Sequence, residues 1–359
     1  MNTTANRAAD RNAVACDIAL REPAEFDAII DVRSPSEFAE DHLPGALNAP
    51  VLDDAQRDQV GTLHKQASAF AAKRLGAALV ARNIAGHIER LFADKPREWR
   101  PLVYCWRGGQ RSAAMVHVLS KVGWHARQLD GGYRAYRRQV IADLEQLPLP
   151  LRWRVITGTT GSGKSRLLQH IQAAGGQVLD LEVLAQHRGS VLGGLPRAPQ
   201  PSQKMFESRL WAALRALAPQ RPVFVESESR KVGDLRLPDA LLVAMRASPC
   251  LRLELPLDQR VQLLRDDYVH FENDPAALIA QLRCLLAVHG SQRIEEWTAL
   301  VNAGDWPALV ERLLTEHYDP AYQRSIRSNF TQSTAAAVIS APSASDAAFR
   351  DLAQQLVSG

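Results

Sequence analysis

Along residues 13–146, short apolar runs alternate with helically spaced apolar positions. FDAIIDV (26–32) and PLVYCW (101–106) are of strand length and almost wholly apolar, as in strands buried on both faces. LPGALNAP (43–50) predicts a turn and a short strand, and ARQLDGG (126–132) a strand and a turn. SPSEFAEDH (34–42) predicts a helix with Ser34 as N-cap, Pro35 in the first helical position and Glu37 three residues after the cap. Residues 64–93 predict one long helix or two. AAMVHVLSKVG predicts a helix closed by Gly123, and YRAYRRQVIADLEQL a further helix. A second alternating stretch starts at RWRVIT (152–157) and continues through GQVLDL (176–181), RPVFVES (221–227) and LRLELP (251–256). From about residue 258 the spacing turns helical. This alternation predicts α/β architecture with parallel sheets between helices.

The chain has 359 residues, enough for two domains at about 150 residues each. LPLPL (147–151) marks a boundary, so we expect domains at 12–146 and 151–330. Residues 331–359 begin with a bias to Ala, Ser and Thr and are expected to form a flexible tail. With 46% hydrophobic and 23% charged residues, the composition excludes a mostly disordered chain or a coiled coil. The net charge of +4 permits a nucleic-acid partner without requiring one. Four cysteines without a CxxC pair give neither a disulfide framework nor a zinc ribbon. The first residues lack an apolar signal core, and no run approaches a membrane span. A soluble, cytoplasmic protein is expected.

Two loops carry candidate chemistry. Cys105 ends a strand and opens the loop Trp106, Arg107, Gly108, Gly109, Gln110, Arg111, Ser112 before a helix. Glycine-freed amides, guanidinium charge and a helix N-terminus all favour thiolate over thiol. Such a thiolate is a nucleophile in an oxyanion-holding loop. Cys16, Cys250 and Cys284 lack this setting and read as inert. GTTGSGKS (158–165) fits the phosphate-loop pattern, after a strand and before a helix. Gly158, Gly161, Ser162 and Gly163 shape the cradle. Lys164 reaches the outer phosphates, and Ser165 is a candidate ligand for Mg²⁺. Its acidic partner is open among Asp180, Glu182, Glu226 and Glu228. His187, Arg188 and Arg230 are further candidates for acid–base or supporting roles.

IIDVRSPSEFAEDHLPGALNAP followed by VYCWRGGQRS resembles a rhodanese domain over residues 14–140. In that resemblance Asp31, Arg33, His42, Pro44 and Gly45 are scaffold. Arg111 stands six positions after Cys105, one more than in the common sulfurtransferase loop. The loop is therefore similar to the Cys-x5-Arg loop of phosphatases, with room for a tetrahedral phosphate-like group. A rhodanese-like parallel-sheet domain joined to a P-loop NTPase-like α/β domain with a helical C-terminal part is a rarer combination. With DLEVLAQHRGSVLGGL (180–195), QPSQKMFESRL (200–210) and VESESRKVGDLRLP (225–238), it resembles the tRNA 2-selenouridine synthase family over residues 14–330.

That resemblance implies a transferase acting on tRNA with 2-thiouridine at the wobble position. It implies selenophosphate and geranyl diphosphate as co-substrates, an S-geranyl intermediate and no tightly bound cofactor. Cys105 would carry selenium, and Arg107 and Arg111 would hold the donor's phosphate. The enzyme that makes selenophosphate is a further implied partner, and use of ATP and Mg²⁺ stays open. Arg134, Arg137 and Arg138 share a helical face beside Tyr133 and Tyr136, as expected of a tRNA-binding surface. Arg152, Trp153, Arg154 and YQRSIRSN (322–329) extend the pattern. Two alternatives stay open: a phosphatase or sulfurtransferase fused to a small-molecule kinase, and a non-catalytic tRNA-binding regulator.

Overall fold

The computed structural model of the chain describes residues 12–21, 23–66, 68–189 and 199–358. These form two compact units. The first holds the described residues up to Asp143, together with Ser202–Ala212. The second holds those from Leu144 to Pro201 and from Ala213 onward.

In the first unit, strands β1 (Ala13–Val14), β2 (Ala28–Asp31), β3 (Ala46–Asn48), β4 (Pro101–Tyr104) and β5 (Arg127–Leu129) form a parallel sheet in the order β1-β5-β4-β2-β3. All four residues of the central β4 are buried, as its continuous apolar run requires. Ile30, Val32, Val103, Met115 and Leu119 pack into one core with the ring cluster of Phe92, Trp99 and Trp124. The predicted 64–93 helical region is two helices, Asp54–Gln66 and Ala69–Leu91. Ser68 divides them by accepting hydrogen bonds from the amides of Phe70 and Ala71.

The domain boundaries need correction. The expected 151–330 block is not contiguous, because Ser202–Ala212 belongs with the first unit. Polar contacts hold it there: Lys204 meets Glu40 at 2.7 Å, Glu207 pairs with Arg137, and Trp211 Nε1 donates to Asp143 at 2.8 Å. The Trp211 ring also meets Tyr136 edge-on.

In the second unit, β6 (Arg152–Thr157), β7 (Gln177–Leu179), β8 (Pro222–Glu226), β11 (Cys250–Glu254) and β12 (Ala337–Ser340) form a parallel sheet in the order β12-β11-β6-β8-β7. A short antiparallel pair, β9 (Lys231–Val232) and β10 (Leu235–Arg236), lies apart from it. Among the described residues, six α-helices between Leu257 and Asn329 make the helical part, with a core around Trp297, Leu282 and Leu313.

The expected flexible tail is a second correction. Residues 337–340 are β12, in parallel register with β11, and Asp346–Ser358 is a helix. Phe349, Leu352 and Ala353 of that helix are buried against Leu167, Leu168 and Ile171. The small residues of 331–345 hide a strand, and the helical apolar stripe after them holds the segment in place. Among the described residues, no helix is long and apolar enough to cross a membrane.

Candidate active site

Cys105 follows the central strand β4, so its loop lies at the carboxyl end of the parallel sheet, where such sheets place their sites. The sulfur is nearly inaccessible and receives two hydrogen bonds. The Gly109 amide donates at 3.2 Å and Ser112 Oγ at 3.1 Å. Gln128, on β5 beside β4, donates to Ser112 Oγ at 2.9 Å and so orients that hydroxyl toward the sulfur. The Cys105 carbonyl accepts from the Tyr133 amide at 2.9 Å, and the Trp106 ring stacks on Tyr133. Burial pushes the Cys105 thiol up, but donation from Ser112 and from the amides of Ser112, Gly109 and Arg107 outweighs it. The net shift is downward, toward thiolate.

The guanidinium groups of the loop arginines lie outside the hydrogen bonds to the sulfur. Arg111 pairs with Glu37 at 3.0 Å, and Glu37 also meets Arg57 at 3.2 Å. Arg107, Gly109 and Gln110 are exposed, while Gly108 is half-buried. Hydroxyl and amide donors, rather than guanidinium groups, therefore touch the sulfur. Asp31 and Arg33 are scaffold: the Arg33 guanidinium grips both Asp31 oxygens, donates to the Asp41 carbonyl and lies over the Tyr133 ring.

The phosphate loop follows β6. Gly163 has φ +86, and a Cβ there would lie 2.3 Å from Phe349 Cζ, so the position excludes a side chain on two counts. Lys164 Nζ donates to the Gly158 carbonyl at 2.9 Å. The Gly158 amide donates to the Tyr322 hydroxyl at 2.7 Å, and Arg260 donates to the Thr160 carbonyl while pairing with Asp319 at 2.6 Å. Ser162 is buried.

Two of the acidic candidate segments converge here. Ser165 Oγ donates to Glu182 at 2.9 Å, and carboxylate oxygens of Glu182, Glu226 and Glu228 lie within 4.8 Å of one another. Burial, together with the charge of Glu228, pushes Glu182 up to about 7. Burial raises Glu226 and Glu228 as well, and Lys164 counters only part of this. One oxygen of Glu226 is buried without a partner. An all-oxygen set with an unpartnered buried carboxylate oxygen beside a phosphate loop fits Mg²⁺ better than zinc. Ser165, Glu182, Glu226 and Glu228 are the residues that would hold it.

Other candidates resolve separately. Asp180 caps the helix Leu181–Ala185 by accepting from the Val183 amide. His187 Nδ1 accepts from the Gly189 amide, and its pKa is lowered by burial. Arg188 donates to the Asp267 carbonyl and lies over the Tyr268 ring. Arg230 is exposed and faces Asp239 at 3.7 Å. Residues 190–195 of the quoted segment lie outside the described residues.

The expected tRNA surface is narrower than its spacing suggests. Arg134 and Arg138 are exposed, but Arg137 is tied to Glu207. Tyr133, Tyr136 and Trp153 are buried, so none of them offers a ring for base stacking. Tyr322 serves the phosphate loop, whereas Arg324 and Arg327 on the same helix are exposed. Sequence reading took Glu37 as a helix-capping partner and Tyr322 as part of a basic stretch, and passed over Gln128, Arg260 and Phe349. Each is far along the chain from the group it supports.

A rhodanese-like domain model matches residues 18–139, and the model of the tRNA 2-selenouridine synthase AAA domain matches residues 151–282. A tRNA 2-selenouridine synthase from Aeromonas salmonicida is 38% identical over 323 residues, 82% of this chain and 86% of that relative. The chain belongs to the tRNA 2-selenouridine synthase family. A family member from Marinobacter nauticus is 33% identical, over 82% of this chain and 87% of its own. One from Nitrosomonas europaea is 39% identical over 67% of this chain, and that match spans 63% of the relative's length. The matched regions of the two models include both loops, the one at Cys105 and the one at Lys164.

Proposed function

We propose that this chain replaces the sulfur of a wobble 2-thiouridine in tRNA with selenium. The observation that carries the reading is the pairing, in a member of this family, of a thiolate cradle at Cys105 with a phosphate loop at Lys164. Geranyl diphosphate alkylates the sulfur and releases diphosphate. The S-geranyl group then leaves as geranyl thiol, while selenophosphate and water supply selenium and release phosphate. Alkylation matters because an S-alkyl sulfur departs as a thiol, whereas thiocarbonyl sulfur is a poor leaving group. We assign Cys105 to the selenium donor and the phosphate loop to a diphosphate. Both donors are co-substrates, and no tightly bound cofactor is needed. A bound Mg²⁺ would supply charge neutralisation for that diphosphate. The reading places the protein in the cytoplasm with its tRNA, and makes the selenophosphate-producing enzyme its supplier.

The test is nucleoside mass spectrometry of 2-thiouridine tRNA incubated with the protein. Selenophosphate and geranyl diphosphate are added singly and together, with Cys105→Ala alongside. Expected is the mass of 2-selenouridine with both donors, and its loss in the variant. An unaltered tRNA with folded protein overturns the reading.

A further inference from the structure

The helices Asp54–Gln66 and Ala69–Leu91 pack antiparallel in the first unit. Asn83 donates to Gln56 at 2.7 Å, and a Cβ on Gly76 would lie 3.5 Å from Val60. The root of this hairpin stands beside the thiol loop. Arg57, in the first turn of the first helix, shares the Glu37 carboxylate with Arg111.

Charge is distributed unevenly along the hairpin. Between residues 59 and 88 the sequence has no Asp or Glu, but it has Lys65, Lys73, Arg74 and Arg82, all of them exposed. Among the described residues none of these four has an ion-pair partner. By contrast Arg33, Arg57, Arg100, Arg111 and Arg137 of the same unit are each claimed by a carboxylate. Phe70 is 75% exposed at the start of the second helix. Arg74 follows it by four residues, so the ring and the guanidinium share a face, with Lys73 at its edge. From Phe70 to Arg82 the second helix extends roughly 18 Å at 1.5 Å per residue.

This combination selects a partner. Unpaired cations along a helix call for a polyanion. One exposed ring is too little apolar surface for a membrane-lying helix, which needs a broad apolar face. It is enough to stack on an unpaired base. The root of the hairpin also adjoins the loop at which the RNA must arrive.

We infer that this hairpin is an RNA-docking arm. Lys65, Lys73, Arg74 and Arg82 meet backbone phosphates, and Phe70 stacks on an unpaired base. The assignment rests on the tRNA reading above and gives the RNA a surface, distinct from the helix Gly132–Leu144 that spacing alone had favoured.

Fluorescence anisotropy of 2-thiouridine tRNA with the full chain, over a KCl series, tests this. Each phosphate contact contributes about 0.7–0.9 to the slope of log affinity against log salt. Lys65→Gln, Lys73→Gln, Arg74→Gln and Arg82→Gln combined should flatten that slope by about two or more and weaken binding at least tenfold at low salt. The rate of Cys105 alkylation by iodoacetamide should stay unchanged, which a disturbed thiol loop would not allow. An unchanged slope and affinity overturn the proposal. So does a variant that loses binding to phosphatidylserine vesicles while tRNA binding holds. Where the combined variant lowers the thermal midpoint, Phe70 decides. Phe70→Ala should weaken binding about fivefold with the slope unaltered, and Phe70→Tyr should hold it within twofold. Equal affinities of the alanine and tyrosine variants overturn the stacking role and the docking arm with it. A failure of the underlying reading looks different: the unmodified chain itself binds no tRNA, and both readings fall.

Discussion

At the scale of single residues, the reactive sulfur owes its state to one hydroxyl and a few amides. Ser112 donates to Cys105 Sγ, and Gln128 fixes the direction of that hydroxyl. A hydrogen bond to a charged group is worth about 1.5 kcal/mol, or about one pKa unit. Ser112→Ala should therefore move the midpoint of Cys105 alkylation by iodoacetamide upward by about one unit, with a smaller shift for Gln128→Ala. An unmoved midpoint in both would leave the amides as sufficient. Much of this cradle was legible, because Cys105 to Ser112 is one continuous loop with glycines and a helix start in sequence. Gln128 was not, since only strand pairing brings β5 against β4. Arg111 shows the converse. Its position in the motif was readable, but its partner Glu37 lies 74 residues away in another helix.

At the scale of elements, composition misled where periodicity did not. The Ala/Ser/Thr bias of 331–345 pointed to a free tail, yet Phe349, Leu352 and Ala353 sit at helical spacing on a buried face. Phe349 also backs the phosphate-loop glycine Gly163. Removing that ring leaves a hole against the loop helix Lys164–Ala173. Phe349→Ala should cost about 3–5 kcal/mol in urea unfolding and weaken pyrophosphate binding as well. Full stability in the variant would show that the helix is not needed for packing. The basic helix Gly132–Leu144 is a different case. Spacing put Arg134, Arg137 and Arg138 on one side, but Glu207 claims Arg137. No local pattern announces that residues 202–212 return to the first unit.

At the scale of the whole molecule, the carboxylate cluster ties stability to pH. Glu182 is raised from 4.5 to about 7, and Glu226 and Glu228 are raised in the same direction. The folded state therefore binds protons that the unfolded chain releases. This contribution is complete below about 4.5 and is lost as pH rises through about 7. Thermal unfolding should show a midpoint that falls between about pH 4.5 and pH 7, a fall that Glu182→Gln reduces and added Mg²⁺ offsets. Identical pH profiles for the variant and the unmodified chain would refute the link. The contact between Phe349 and Gly163 has a consequence for synthesis. The loop's glycine and its aromatic support are separated by roughly 190 residues, which a ribosome adds in about 10–40 s at roughly 5–20 residues per second. Through that interval the loop helix lacks its cover, and β11, once made, has no β12 beside it. The nascent second unit must wait, with apolar surface open to chaperones, whereas the first unit is complete once residues 202–212 are made.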